Sequence, residues 1–162
     1  MPSKQEKKHL AGVAEFLEPG EHALAALTAQ AKGVSAARGT AGGLGGVAGV
    51  AASEVLGKKP AKEHASAADV GLDISAPMAI VITDQRLLTL RTGMPIGLGL
   101  GGGIKSLMSA VPVRDVESIE TSRAGMAKRV ELTVRGITIN LECNAGASTD
   151  EFAAAFNNLP KQ

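Results

Sequence analysis

Gly97, Gly99 and Gly102 stand in GxGxxG spacing, which lets a backbone turn cradle the pyrophosphate of a dinucleotide. That chemistry needs a strand before the glycines, a helix after them and an acid about 20 residues further on. From Ile104 the chain reads instead as strand and polar turn, and Lys105 is not adjacent to the last glycine as a Walker loop requires. Cys143 is the one cysteine, so no internal disulfide forms, which fits a reducing compartment. As a nucleophile it would need exposure, yet it keeps register with Ile137, Ile139 and Leu141 and reads as a small core residue. His9, His22 and His64 are scattered, without metal-ligand spacing. Asp115, Glu117, Glu120, Glu131 and Glu142 mostly alternate with apolar residues, the pattern of a solvated strand face. No catalytic residue, metal ligand or cofactor is expected.

Two residue groups suit interaction better than chemistry. Residues 39–53 carry no charge and repeat GxxxG at Gly39/Gly43, Gly42/Gly46 and Gly45/Gly49. That spacing lets helices approach closely, although a linker has the same composition. Lys58, Lys59 and Lys62 form one basic group, and Arg123, Lys128 and Arg129 a second. An anionic partner such as a lipid headgroup requires these groups to converge. With 17 basic and 16 acidic residues, the net charge of +1 lacks the basic excess of a nucleic-acid binder. Three Phe, no Trp and no Tyr leave little to stack on bases.

These residues must be positioned by strands. Arg129–Arg135 and Ile137–Cys143 alternate apolar and polar residues on either side of Gly136, an antiparallel hairpin with one wet and one buried face. Val130, Leu132, Val134, Ile137, Ile139, Leu141 and Cys143 are its core face. Met78–Thr83 and Arg86–Arg91 make a second hairpin around Asp84-Gln85, and 116–122 another strand. Pro112 cannot donate to a ladder and marks an edge, bend or bulge. Residues 22–32 fit either an alanine-rich helix or a first strand. Residues from about 3 to 17 read as a short amphipathic helix with Leu10, Val13, Phe16 and Leu17 on one face. The segment from Ser148 reads as a helix opened by a capping box between Ser148 and Glu151, with Phe152 and Phe156 on its apolar stripe. Fourteen of the twenty glycines fall in Gly33–Gly57 and Gly93–Gly103, read as insertions or long loops, with Lys58–His64 as a charged connector.

Leu17-Glu18-Pro19-Gly20-Glu21, Ile80-Val81-Ile82-Thr83-Asp84-Gln85-Arg86-Leu87-Leu88 and Val111–Ile119, followed by the hairpin and the Glu151-Phe152 helix, resemble the bacterial pleckstrin-homology-like domains of the YokE type. The resemblance spans roughly residues 17 to 160 apart from the Gly-rich parts, and Thr-Asp-x-Arg-Leu-Leu is its most specific piece. It implies a mainly β fold: a strongly bent antiparallel barrel of about seven strands, open at one corner and capped by the C-terminal helix. On this reading residues 1–17 are an N-terminal helix and 18–162 the PH-like domain, with a Gly-rich insertion at 33–76 and a Gly-rich loop at 93–105. The insertion is longer than the family's usual loop after the first strand. Short strands with one apolar face must in any case close on themselves or on a helix. Phe152 and Phe156 are expected to fill the barrel mouth.

The resemblance implies a binding and oligomerisation fold without a catalytic set. The expected function is a non-catalytic binding or scaffolding module, self-associating or engaging a protein partner. The alternative is a peripheral membrane module that contacts lipid through the Gly-rich segments and basic loops. The charged N-terminus and the lack of a long uncharged apolar stretch point to a cytoplasmic protein.

Overall fold

The structure, a computed structural model, describes residues 1–32, 58–74, 78–93 and 102–160. Helix α1 (Lys4–Gly12) runs into a 3-10 turn (Val13–Phe16). Strand β1 (Ala23–Ala31), helix α2 (Lys58–Asp69) and strands β2 (Met78–Thr83), β3 (Arg86–Thr92) and β4 (Ile104–Pro112) follow. A short 3-10 turn (Val113–Asp115) leads to β5 (Val116–Ala124), β6 (Ala127–Val134), β7 (Ile137–Cys143) and helix α3 (Thr149–Asn157). All strand pairs are antiparallel, in one seven-stranded sheet of order β4-β3-β2-β1-β7-β6-β5. Among the described residues its edges, β4 and β5, do not pair, so the sheet is open and not a closed barrel.

The edges nevertheless approach at one corner. Strands β4 and β5 are consecutive in the chain but lie at opposite ends of the sheet, and only Val113–Asp115 joins them. Four residue steps span at most about 14 Å. Seven flat strands would separate the edges by about 29 Å. The sheet must therefore curl. Two turns brace the connector: Val113 N donates to Gln85 O at 2.9 Å, and Arg135 N to Asp115 O at 3.1 Å. The Arg135 guanidinium also grips Asp115 Oδ2, at 2.6 Å from Nη2. Arg135 and Gly136 adopt φ of 48° and 78°, the twist that suits a two-residue hairpin loop.

The expected β6–β7 face is buried. Val134 pairs with Ile137, Leu132 with Ile139 and Val130 with Leu141. All are nearly inaccessible except Ile137, which is partly buried. Alanine-rich 22–32 resolves as a strand, because β1 is flanked by β2 on one side and β7 on the other. Ladder pairing and burial override alanine's helix preference. Among the described residues its seam with β7 is short, with partners at Ala29–Cys143, Gln30–Glu142 and Ala31–Leu141 and a further bond from Lys32 N to Asn140 O at 3.1 Å. Every residue of β2 is buried, since apolar clusters cover both faces. On the outer face Val13, Leu10, Phe16 and Leu17 pack over Ala26, Ala79, Val81, Leu88 and Leu90. Pro112 ends an edge strand, in keeping with its missing donor.

Three expectations need correction. Lys58–His64 is not a connector but lies within α2, whose Ala67 joins Val70, Leu72 and Ile74 in the inner core. The exposed Lys62 and the lysine-rich start of the helix hide that packing in the sequence. Glu63 turns inward and accepts from Asn140 N at 2.8 Å. The Ser148–Glu151 capping box does not form. The Ser148 hydroxyl donates to Met1 O at 2.9 Å, and the Glu151 carboxylate meets the Met1 amino group. The capping box lies instead at Ser3–Glu6, where Ser3 Oγ accepts from Glu6 N at 3.2 Å. The plug is also narrower than expected: Phe152 is fully buried, whereas Phe156 is only partly covered.

Phe152→Ala should lower the unfolding free energy by about 3–5 kcal/mol in urea titrations, as for fully buried aromatics. Phe156→Ala should cost clearly less, because its ring already meets solvent. Equal losses would remove the distinction between plug and rim.

Candidate functional site

Groups with displaced proton affinity are the usual markers of a site. The strongest cluster joins Leu17–Glu21 to Ile80–Leu88. Glu21, whose side chain is fully buried, faces Arg86 across the turn entering β1. Arg86 Nε donates to Glu21 Oε1 at 3.0 Å, and Thr83 Oγ1 donates to the same oxygen at 2.6 Å. Glu18 N donates to Glu21 Oε2 at 2.8 Å, and Arg86 Nη2 to Phe16 O at 3.2 Å. Burial works against the Glu21 charge, but the Arg86, Glu18 and Thr83 donors outweigh it and hold the carboxyl at about 2. Beside it the His22 backbone N–H donates to Asp84 Oδ1 at 2.9 Å and lowers that carboxyl too. Every charge here is answered within the chain. The cluster ties the end of the 3-10 turn to the β2–β3 hairpin.

A second cluster joins the ends of the molecule. Glu6, 2% exposed, caps α1 through Ser3 and accepts from Ser148 N at 2.8 Å, so one carboxylate caps α1 and α3. Burial raises its proton affinity, but the Ser148 and Ser3 donors outweigh it and keep it ionised. One turn on, His9 is wholly buried between α1 and β1, with Nε2 2.9 Å from Thr28 Oγ1 and Nδ1 without a partner. Burial depresses its proton affinity, opposed by the Glu6 charge and aided by Lys8. His9 is thus held neutral.

The third feature is open to solvent. Where the sheet edges meet, a cleft of about 330 Å³ lies between Val113, Arg114, Val116 and Glu117 on one wall and Phe156 and Leu159 on the other. Helix α3 runs alongside β5: Thr121 Oγ1 donates to Asp150 Oδ1 at 2.9 Å at one end, and Phe156 reaches the cleft at the other. Arg114 and Glu117 are exposed and make no ion pair among the described residues. The sequence signal for this cleft is the apolar stripe of the helix continuing through Phe156 and Leu159 past the fully buried Phe152.

The residues singled out from the sequence do not assemble there. Gly42, Gly46 and Gly49 lie outside the described residues, as do the glycines 97 and 99. Lys58 and Lys59 open α2, and Lys62 is exposed on the same helix. Arg123 and Lys128 are cross-strand partners at the far end of the β5–β6 hairpin. Lys128 Nζ is engaged, donating to Ala147 O at 2.6 Å just before α3. Arg129, one residue on, takes the opposite face of β6, where it stands opposite Glu142. The structure thus brings Arg123 and Lys128 to one small pocket with Thr121, Ser122, Thr149 and Asp150, and places Arg129 apart from them. Cys143 is buried, and burial, followed by the Glu6 charge, pushes its thiol to about 12, so it stays protonated. No group of three or more metal-ligating side chains occurs among the described residues. No described helix is long and apolar enough to cross a membrane. No protein-family model matches the chain, and no curated protein matches it.

Glu21→Gln should destabilise the fold by up to about 3–5 kcal/mol, because Arg86 then keeps only the exposed Glu18 as its ionic partner. With a folded value of about 2 against 4.5 ordinarily, the ionised carboxylate stabilises fully above about pH 4.5. That stabilisation fades as pH falls toward 2, so the gap between wild type and Glu21→Gln in urea midpoint should close over that window. His9 works over a different range. Its folded value lies below 6.5, so the benefit of staying neutral is full above about pH 6.5 and is lost as pH falls to the folded value. Replacing His9 with Gln should remove the part of the stability slope that begins just below pH 6.5. An unchanged slope in that variant would show that another group sets it.

Proposed function

We propose that this chain is a non-catalytic binding module of pleckstrin-homology-like build, which docks a polypeptide partner in the corner cleft between β5 and the end of α3. The open, curled seven-stranded sheet with a helix plugging its inner face supports the fold reading. One observation carries the functional reading. Among the described residues the groups with displaced titration, Glu6, His9, Glu21, Asp84, Arg86 and Cys143, are engaged in the architecture or sealed in it, and none of them lines the cleft. The cleft itself offers apolar surface from Val116, Phe156 and Leu159 beside two unanswered charges, a composition suited to recognition and not to bond-making.

A photo-crosslinking residue at Asn157, beside the cleft, should capture a discrete polypeptide adduct in living cells. The same probe at Met126, which is 89% exposed at the far hairpin, should not. Leu159→Arg should abolish the Asn157 adduct without lowering the thermal midpoint by more than a few degrees. The full chain should stay in the supernatant with phosphatidylcholine and with phosphatidylserine vesicles. Pelleting that depends on Lys62 and Arg123 would replace the polypeptide partner with a membrane surface.

A further inference from the structure

We infer that helix α1 is an acid-released strap: charging the buried His9 ring lifts Lys4–Gly12 off the outer face of β1 and β2, and a capping box at Ser148–Glu151 then takes over the start of α3. The trigger rests on how His9 is enclosed. Its ring is wholly buried against β1, with Nε2 2.9 Å from Thr28 Oγ1 and Nδ1 without a hydrogen-bond partner. A protonated ring carries N–H on both nitrogens. Thr28 Oγ1 can accept from one, and the other becomes a buried, charged donor with no acceptor. The surroundings offer little relief. On α1 itself Glu6 attracts the charged ring and Lys8 repels it, and Glu6 is already committed to Ser3 N and Ser148 N. Gln5 Nε2, 3.4 Å from His9 Nε2, brings no charge. Strands β1 and β2, on which α1 rests, contain no ionisable side chain. On β7, the next strand, Glu142 makes no ion pair with His9, and Cys143 takes the inner face. Residues 144–148 add no charge, and Asp150 and Glu151 beyond them are engaged by Thr121 and Met1. Near Gly12, β4 adds only the exposed Lys105.

The release is prepared at the start of α3. Ser148 and Glu151 have the spacing of a capping box, in which the hydroxyl takes the amide of the acid and the acid takes the amide of the cap. The N-terminal segment holds these groups instead. Ser148 N donates to Glu6 Oε1 at 2.8 Å, the Ser148 hydroxyl donates to Met1 O at 2.9 Å, and Glu151 meets the Met1 amino group. Departure of α1 frees all three together, and they then answer one another. Helix α3, whose Phe152 plugs the inner core, thus keeps a cap in both states. Release also has a limit. Phe16 O accepts from Arg86 Nη2 at 3.2 Å, and Arg86 is locked to Glu21, whose carboxyl is held at about 2. That anchor stays charged throughout the range in which His9 gains its proton. The strap therefore swings from the junction of α1 with the 3-10 turn, at Gly12 and Val13, and opens as a local unit while the sheet stays folded.

The test is amide hydrogen exchange of the full chain, followed peptide by peptide at about pH 7.5 and about pH 5 and normalised for the intrinsic effect of pH. The ring is held below 6.5 only while α1 is seated, so acid favours release from about pH 6.5 down to the folded value, by up to about tenfold per pH unit. Protection of Lys4–Gly12 should fall by that factor, while the β6–β7 hairpin and Thr149–Asn157 keep theirs. His9→Gln, which cannot take up a proton, should leave α1 equally protected at both pH values. In the wild-type chain the His9 ring resonance, titrated by nuclear magnetic resonance, should move with the midpoint at which α1 loses protection, a check that does not depend on the variant folding. Ser148→Ala, which lacks the hydroxyl of the box, should lose protection of α3 together with α1 in acid and keep both near neutrality. Loss spread evenly over the sheet, no loss at α1, the same loss in His9→Gln, or a ring midpoint apart from that of α1 overturns the strap. An α3 that stays protected in acid in Ser148→Ala overturns the exchange of caps.

Discussion

A curled sheet has an inner face that water cannot be allowed to reach, and most of the remaining structure follows from covering it. Leu27, Met78, Ile80, Ile82, Leu132, Ile139 and Leu141 point inward from strands far apart in the chain. No single helix is long enough to cover them. Phe152 on α3, Ala67 on α2 and the run Val70, Leu72 and Ile74 share the task. The sheet stays open because these elements fill the space that a closing pair of edge strands would otherwise have to seal. The corner cleft marks where α3 runs out of sheet to cover.

The buried polar groups serve the same geometry. Glu21 and Arg86 are 65 residues apart in sequence and fix the approach to β1 against the β2–β3 turn. Glu6 does so for the two helices, each oxygen answering a different helix start. Both are acids whose charge is retained in a buried place by donors, which makes each geometrically demanding: a carboxylate with several fixed donors tolerates little displacement.

Elements whose local pattern agreed with their long-range role were readable in advance. The β6–β7 hairpin was legible because alternation and turn chemistry act within fifteen residues. That Pro112 marks an edge, bend or bulge was legible because a missing donor restricts a strand wherever it occurs, and the edge is the choice the sheet makes. Strand β1 was not, because alanine carries no periodic signal and only the neighbouring strands decide its state. Helix α2 was hidden by its lysines. The Ser148 capping box was a sound local reading, displaced by Glu6 from the other end of the chain. The cleft was half legible: the stripe through Phe156 and Leu159 was visible, but its facing wall depends on a curl that no local pattern encodes.

The short seam between β1 and β7 divides the sheet by sequence as well as by space. On one side β2, β3 and β4 follow one another in the chain and β1 joins them across helix α2, and on the other β5 to β7 form a meander. Among the described residues three partners join the two sides, against seven or eight inside the β5–β6 and β6–β7 ladders. The β2–β4 and β5–β7 meanders can form early from nearby contacts, whereas the β1–β7 seam must bring together residues over a hundred positions apart and is the late, slow step of assembly. In the finished protein the same line is where partial opening takes the least work, so the two meanders are natural cooperative units. Thermal motion should then breathe along Ala29–Ala31 before it disturbs either hairpin.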